Sequence, residues 1–456
     1  MTSQPRADHA LAHVDSGIDS AQVSVGCVDW NGRLRTKQIN PEKLAAALDD
    51  GVAMTSAIFA PDTAEHPIES GPFHNPEHGY RDAWLRLDAT SLRRDPLTAS
   101  GAGTLVLGQL EGEFAAYCPR ALLAGECVRL AACGFEALSA FEFECHLLQE
   151  SLTTLAQKPP HALVTLPELT RMYSFVDQAV ACDLFGDIQR FAAAMAIPLA
   201  TLHAEFTGLL EASLAPAPPI ASGDAGVLYK AMVKAVARRH GALACFMAQL
   251  SNRHEAAGAH LNLSLVERRS TTPAFYSEDS PDHLTPTLRH FVAGLQTFTP
   301  ELMILHLPTI NSFKRLGAHS LAPRTNTWGI DNKTVAYRVV NTRRELARIE
   351  IRIPGADVNP YLALAATLAA GRRGLELKLE PSPPVSGNGW REELLISASL
   401  PRDFSAAVAA WRRSLFARTT FGAAFVEAFA QSREWQLERF ARAVTDWEVR
   451  QFAECV

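Results

Sequence analysis

Several short stretches of this chain alternate strictly between apolar and polar residues, the mark of a β-strand with one buried face. In Phe141-Glu142-Phe143-Glu144 both carboxylates point to one side. Residues 201–205 do the same with His203 and Glu205, and residues 260–265 with His260, Asn262 and Ser264. Residues 348–353 turn Arg348, Glu350 and Arg352 away from three isoleucines. Helical patterns over 120–133, 178–196, 226–240 and 286–298 separate these strands. A further helix opens at Asn359-Pro360-Tyr361, with Pro at a favoured first position, and residues 403–456 are helical to the end. Near the start, residues 23–30 and 34–39 alternate around Asn31-Gly32, which predicts a hairpin. A helix at 41–49 and strands at 83–87 and 104–109 follow, with a long loop at 51–80 rich in Gly, Pro, Asn and His. The pattern divides the chain into a flexible tail at 1–20, a small α+β unit at 21–117, and a large unit at 118–456. In the large unit the alternation of strands and helices implies a curved sheet with helices outside it.

Composition narrows the class. The chain has 456 residues, 47% of them apolar and 20% charged, which suits a globular protein of two domains. A net charge of −6 gives no reason to expect nucleic acid or a membrane surface as partner. Eight scattered cysteines without a Cys-x-x-Cys pair suggest reduced thiols in a cytoplasm. The first twenty residues are polar rather than a signal peptide, and no apolar run reaches the length needed to cross a bilayer.

The polar faces carry the chemistry. A wet sheet surface is normally built from Lys, Thr and Ser, whereas here Glu, His, Asn and Arg share one side of four strands. Clustered carboxylates need a cation to stay ionised, so the pattern describes a polar cavity for divalent metal and phosphate.

The run of residues 348–363, Arg-Ile-Glu-Ile-Arg-Ile-Pro-Gly-Ala-Asp-Val-Asn-Pro-Tyr-Leu-Ala, resembles type I members of the glutamine synthetase family, in particular the branch that makes γ-glutamylamides and γ-glutamylpolyamines. Matching stretches recur in order: Phe-Glu-Phe-Glu (141–144), His-Ala-Glu (203–205) with Glu211, residues 258–265, Asn-Ser-Phe-Lys-Arg-Leu (311–316) and Trp-Gly-Ile-Asp-Asn-Lys-Thr (328–334). The resemblance implies an α+β chain: an N-terminal β-grasp domain, then a catalytic domain with a curved antiparallel sheet flanked by helices. It implies ATP and two or more Mg²⁺ or Mn²⁺ ions. One ion would be held by Glu144, Glu205 and Glu211, the other by Glu142, His260 and Glu350. Arg338 and Lys333 would contact phosphate, with Arg348, Asn262 and Ser264 near the nucleotide. Arg315 and Arg352 would hold the carboxylates of the acid substrate, and Tyr173 would line the amine site. Members assemble as rings, so a homo-oligomer of twelve is implied, with Asp62 of the 51–80 loop reaching a neighbour's site or, alternatively, capping a turn.

The departures from the family pattern are chemical. Counting without gaps, Leu321 stands where a glutamate takes the proton from ammonium, and an alkyl group cannot do this. Glu255-Ala256-Ala257-Gly258 replaces Asn-Gly-Ser-Gly, and Gln249-Leu250 replaces Lys-Pro. Asn262 replaces a histidine and Lys333 an arginine, and the segment from Glu205 to Glu211 is short and lacks a Gln. With the resemblance, Leu321 points to an ATP-dependent ligase that joins glutamate to an organic amine, whereas Glu255-Ala256 points to a different acid. The same ligation of another carboxylic acid, or a non-catalytic relative, are the alternatives.

Overall fold

The computed structural model describes residues 22–456 except 70, 74–75, 77–78 and 318–320. The expected tail at 1–20 lies outside the described residues. Two sheets organise the chain. The first contains β1 (Val23–Val28), β2 (Leu34–Ile39), β3 (Val52–Thr55), β4 (Asp82–Leu87), β5 (Arg93–Asp95) and β6 (Gly103–Leu110), with helix α1 (Leu44–Asp50) between β2 and β3. Its order is β2-β1-β6-β4-β3, with β5 also paired to β6; β1 and β6 run parallel and the other pairs antiparallel. The β1–β2 hairpin forms where Asn31-Gly32 predicts it. Gly32 has φ +73, and a Cβ there would stand 3.2 Å from the Cα of Asn359, so both the turn and its neighbour require glycine.

The second sheet follows helix α2 (Pro119–Ala132). Its strands are β7 (Phe135–Leu148), β8 (Leu199–Ala204), β9 (Leu209–Leu214), β10 (Leu243–Cys245), β11 (Ala259–Glu267), β12 (Trp328–Ile330), β13 (Tyr337–Val340) and β14 (Arg348–Ile351). The order is β12-β13-β14-β11-β7-β9-β8, with β10 on the end of β7, and only the β12–β13 pair is parallel. Among the helices on its outer side are α3 (Cys182–Ala194), α4 (Pro219–Arg239), α5 (Pro286–His306) and α6 (Pro360–Leu377). Helix α7 (Phe404–Arg413) and helix α8 (Ala423–Arg442) close the chain's core.

Two helices run further than their sequence patterns indicate. Helix α4 begins at Pro219, the first-turn position where proline's missing N–H is harmless. Helix α5 continues past Phe298 to His306 with Pro300 inside it, because the buried face Leu302-Met303-Ile304-Leu305 outweighs the lost backbone bond.

One buried apolar cluster runs through both sheets, from Val23 to Ala430. Trp30 from the hairpin packs on Phe59 and Phe73 of its own unit and edge-on against Phe425 and Phe429 of α8. Arg120 spans the two units, donating to Asp88 at 2.6 Å and to buried Asp224 at 3.0 Å. Asn359 caps α6 with its side-chain oxygen and donates to the carbonyl of Asp29 in the hairpin at 2.9 Å. The eight cysteines are all unpaired. Among the described residues no helix is long and apolar enough to cross a membrane.

His306 closes α5 while almost wholly buried, and its Nδ1 lacks a hydrogen-bond partner. Burial pulls its pKa down to about 4. A base with a depressed folded pKa favours folding while neutral. That contribution is complete above the unfolded value of about 6.5 and is lost as pH falls toward 4, at up to about 1.4 kcal/mol per pH unit. We expect the apparent Tm to drop between pH 6.5 and 4.5 and the drop to be shallower in His306→Leu. Thermal scans giving parallel profiles for the two proteins would contradict the assignment.

Candidate active site

The polar cluster is a product of strand register. On the front of the second sheet Glu142 of β7 faces His260 of β11 and Ser213 of β9. One rung along, Glu144 faces Glu211, which in turn faces His203 of β8. On the other flank Asn262 of β11 faces Glu350 of β14, which faces Arg338 of β13. The opposite face is fixed in the core by Phe141 and Phe143, stacked at 5.1 Å, with Phe143 stacked on buried Tyr229. The short segment between Glu205 and Glu211 closes as a tight turn, with Glu205 N–H donating to Leu209 at 2.8 Å. Gly208 makes that turn possible: its φ is +69 and a Cβ would strike Thr165.

Two triads of potential ligands result, each with its donor atoms within 4.8 Å of one another: Glu142, His260 and Glu350, and His203, Glu205 and Glu211. The first is the set that the family resemblance implies. The second contains His203, which the sequence analysis placed beside Glu205 without a ligand role, where Glu144 was expected. Glu144 stands between the triads instead. One of its oxygens accepts the Gly258 N–H at 2.7 Å, and the other lies 3.8 Å from His260 Nε2.

Cations ring the carboxylates. Glu350 is paired with Arg352 and with Arg338 at 2.7 Å, and Arg338 Nε also donates to Asp331 at 3.0 Å. Asp331, in the left-handed region at φ 44, is a site residue the sequence reading missed, although it lies inside the Trp-Gly-Ile-Asp motif. Arg315 arrives on a short helix, Ile310–Lys314, whose capping residues Thr309 and Ser312 both donate to half-buried Asp357. Arg315 then donates to the carbonyls of Arg352 and Ile353 and comes within 3.5 Å of His260. Gly258 leaves the room for this, since a Cβ would meet Arg315 at 2.6 Å. The Nε atoms of Arg315 and Arg352 are buried without partners.

The remaining predicted residues have definite places. Asn262 donates to Glu142 and accepts from Arg348, both at 2.8 Å, and Ser264 lies half-buried on the same face of β11. Lys333 is exposed, close enough that its charge is felt at Glu211. Tyr173 has φ 55 and stacks on His203 at 4.3 Å. Leu321 is 56% exposed, next to the undescribed residues 318–320. Asp62 is buried within its own chain. It accepts backbone N–H groups from Ala64 and His66 and the side chain of Arg439 on α8, so of its two readings the chain shows turn capping.

The charges are unbalanced across the site. Burial chiefly, then Glu144, Glu142 and Glu205, push the Glu211 carboxyl up to about 8. Glu142 goes the other way, to about 2, because His260 and Asn262 outweigh its burial. A carboxylate wall short of positive charge, facing guanidiniums with unused donors, fits divalent cations bridging to an anionic substrate.

This front-face site, set on an antiparallel sheet with helices behind it, defines a carboxylate-rich, arginine-rimmed enzyme of the ATP-dependent ligase kind. The sequence profile described as glutamine synthetase, catalytic domain, matches residues 116–452, and the chain belongs to that family. It is similar to a glutamate–isopropylamine ligase of a Pseudomonas species, 30% identical over 95% of each chain. It is also 30% identical to a gamma-glutamylethanolamide synthetase of Streptomyces coelicolor, over 98% of this chain and 95% of that one. The solved structure of a GmaS/ADP complex shares the fold, with a TM-score of 0.83 and 24% identity over 99% of this chain and 100% of that one.

The two walls respond oppositely to neutralisation. Glu211→Gln replaces a carboxyl that must take up a proton to sit in this wall at neutral pH, so the metal-free protein should gain about 2 °C or more in apparent Tm at pH 7 while activity falls at least about 100-fold. Glu350→Ala leaves Arg352 buried and uncompensated, so it should lose stability as well as activity. Differential scanning fluorimetry in chelator, beside a turnover assay, separates the cases; two variants shifting Tm in the same direction would refute the charge map.

Proposed function

We propose that this chain is an ATP-dependent ligase that joins the side-chain carboxylate of glutamate to an organic amine. The observation that carries this reading is Leu321 in place of an ammonium-deprotonating carboxylate. The names of the two amine-ligating relatives and the exposed Tyr173 stacked on His203, with exposed Met172 and Phe175 close to it in sequence, support it.

An oxide ion is a poor leaving group, so the carboxylate first takes a phosphoryl group from ATP, and the amine nitrogen then displaces phosphate. Two divalent ions, Mg²⁺ or Mn²⁺, would be held by the two triads and would neutralise charge on the group in transfer. Arg315 and Arg352 would hold the acid's carboxylates with their unused donors. Arg338, braced by Asp331, and Lys333 would meet phosphate, with Arg348, Asn262 and Ser264 toward the nucleotide. Tyr173 and Leu321 would exclude water and receive the amine's carbon atoms, each CH₂ contributing about 0.8 kcal/mol on burial.

Two further expectations belong to the same reading. Residues 21–117 would be a β-grasp domain, a view supported by the parallel pairing of β1 with β6 in a mixed sheet. The chain would work as a ring oligomer, supported by the exposed Val444, Trp447, Val449 and Phe452 at its C-terminal end. A fully active monomer in analytical ultracentrifugation would end the ring idea.

The test of the reaction is phosphate release with ATP, glutamate and a panel of amines. At least one alkyl- or arylamine should exceed ammonium by about tenfold in kcat/KM, and Leu321→Glu should move that ratio toward ammonium by about the same factor. Equal use of ammonium and the best amine, or a ratio unmoved by the substitution, would overturn the proposal.

A further inference from the structure

Behind β7 a cavity of about 1080 Å³ opens between α4, β10 and the first hairpin. Lys230 of α4 fixes its side of the sheet: the ammonium lies 5.8 Å from the ring centroid of Phe143 and 5.5 Å from that of Phe246. Phe143 faces the core, so the sheet stands between this cavity and the carboxylates of the active site. Much of the lining is apolar. Leu148, Leu243 and Leu250 make a buried cluster separate from the main core, with Leu163 packed on it. Leu152 and Leu155 extend this wall and are exposed. The charged lining is five cations, Arg33, Lys230, Lys234, Arg238 and Arg433, against one acid, Asp357. Three of the cations are already satisfied. Arg33 is paired with Glu65, Lys230 donates to the carbonyls of Ala356 and Val358 at 2.8 and 2.9 Å, and Arg433 donates to the carbonyl of Pro308 and to Asn31. Asp357 accepts from Thr309 and Ser312. Lys234 and Arg238 stand one turn apart on α4 without an acidic partner among the described residues. The charges of Arg238 and Arg33 are both felt at Lys234.

Like charges at this spacing repel, and the leucines beside them supply no compensation. An inorganic anion would leave the apolar wall in water, and a neutral apolar molecule would leave two cations unanswered. One molecule that carries both an anionic head and an apolar body satisfies both. A largely apolar wall with a few placed charges is also the usual make-up of a small-molecule pocket. We propose that this cavity binds an organic anion, a carboxylate carried on an alkyl or aryl body. The carboxylate lies against Lys234 and Arg238, and the body lies along Leu148, Leu163, Leu243 and Leu250. The site stands apart from the ligase reading, since none of these residues belongs to the front face of the sheet.

The test is isothermal titration calorimetry of the full-length, assembled protein with octanoate, kept below the concentration at which it forms micelles. Octanoate should bind at one site per chain. 1-Octanol, the same body without the charge, and acetate, the charge without the body, should each bind at least about tenfold more weakly. The double variant Lys234→Gln/Arg238→Gln should weaken octanoate binding by at least about tenfold. Its phosphate release without octanoate should equal that of the wild type, which shows that the variant is folded. Absence of octanoate binding by the wild type, an affinity that the double variant leaves unchanged, or 1-octanol binding as tightly as octanoate would each overturn the inference.

Discussion

The antiparallel register of β7 against β11 is the constraint on which the site depends. Pairing at Glu142–His260 requires Phe141 and Phe143 to face the helices, and their burial against Tyr229 is what makes that pairing the stable one. A slip of one residue would put two carboxylates in the core and two phenylalanines in water. Burying a phenylalanine side chain is worth about 1.5–3 kcal/mol, and burying an unpaired carboxylate costs more than that. The apolar side of the sheet therefore positions the polar side, and the register passes through β9, β14, β8 and β13 to the strand-borne groups Glu211, Glu350, His203 and Arg338.

Electrostatics then shape what register assembles. Glu350 is almost wholly buried between Arg338 and Arg352, and of Glu142, Glu144, Glu205, Glu211 and Glu350 it alone has two guanidinium partners. The opposite end, around Glu211, is crowded with like charge. The site is thus a gradient, compensated near Arg352 and under-compensated near His203. An incoming cation gains most at the under-compensated end, and an incoming anion gains most at the buried, half-satisfied guanidiniums of Arg315 and Arg352.

Much of this was legible in the sequence because period-two alternation reports directly on which side chains share a face. Glu142, His260 and Glu350 each emerged on a polar strand face for that reason, and the family resemblance joined them into one ligand set; the hairpin at Asn31-Gly32 emerged from its turn chemistry. The second triad was only half visible. His203 and Glu205 share a polar face, but the approach of His203 to Glu211 depends on the β8–β9 register, which no spacing encodes. Short strands such as β3, β5 and β12 carry too few residues to show a period. Pro300 hides the second half of α5, since a local rule against proline gives way there to tertiary burial. Asp357 acts through Thr309 and Ser312, distant along the chain, and Asp331 through the pairing that lays β12 beside β13, so their roles appear only once the strands and helices are placed.

The contact of Trp30 with Phe425 and Phe429, and of Arg433 with Asn31 across 402 residues, has a consequence for the chain's birth. At synthesis rates of about 5–20 residues per second, the first hairpin leaves the ribosome roughly 20–80 s before the helix that covers it. During that interval its indole has only Phe59, Phe73 and Tyr117 for company. The core around Trp30 is therefore closed only after the 423–442 helix has been made, so its completion comes late in synthesis rather than early.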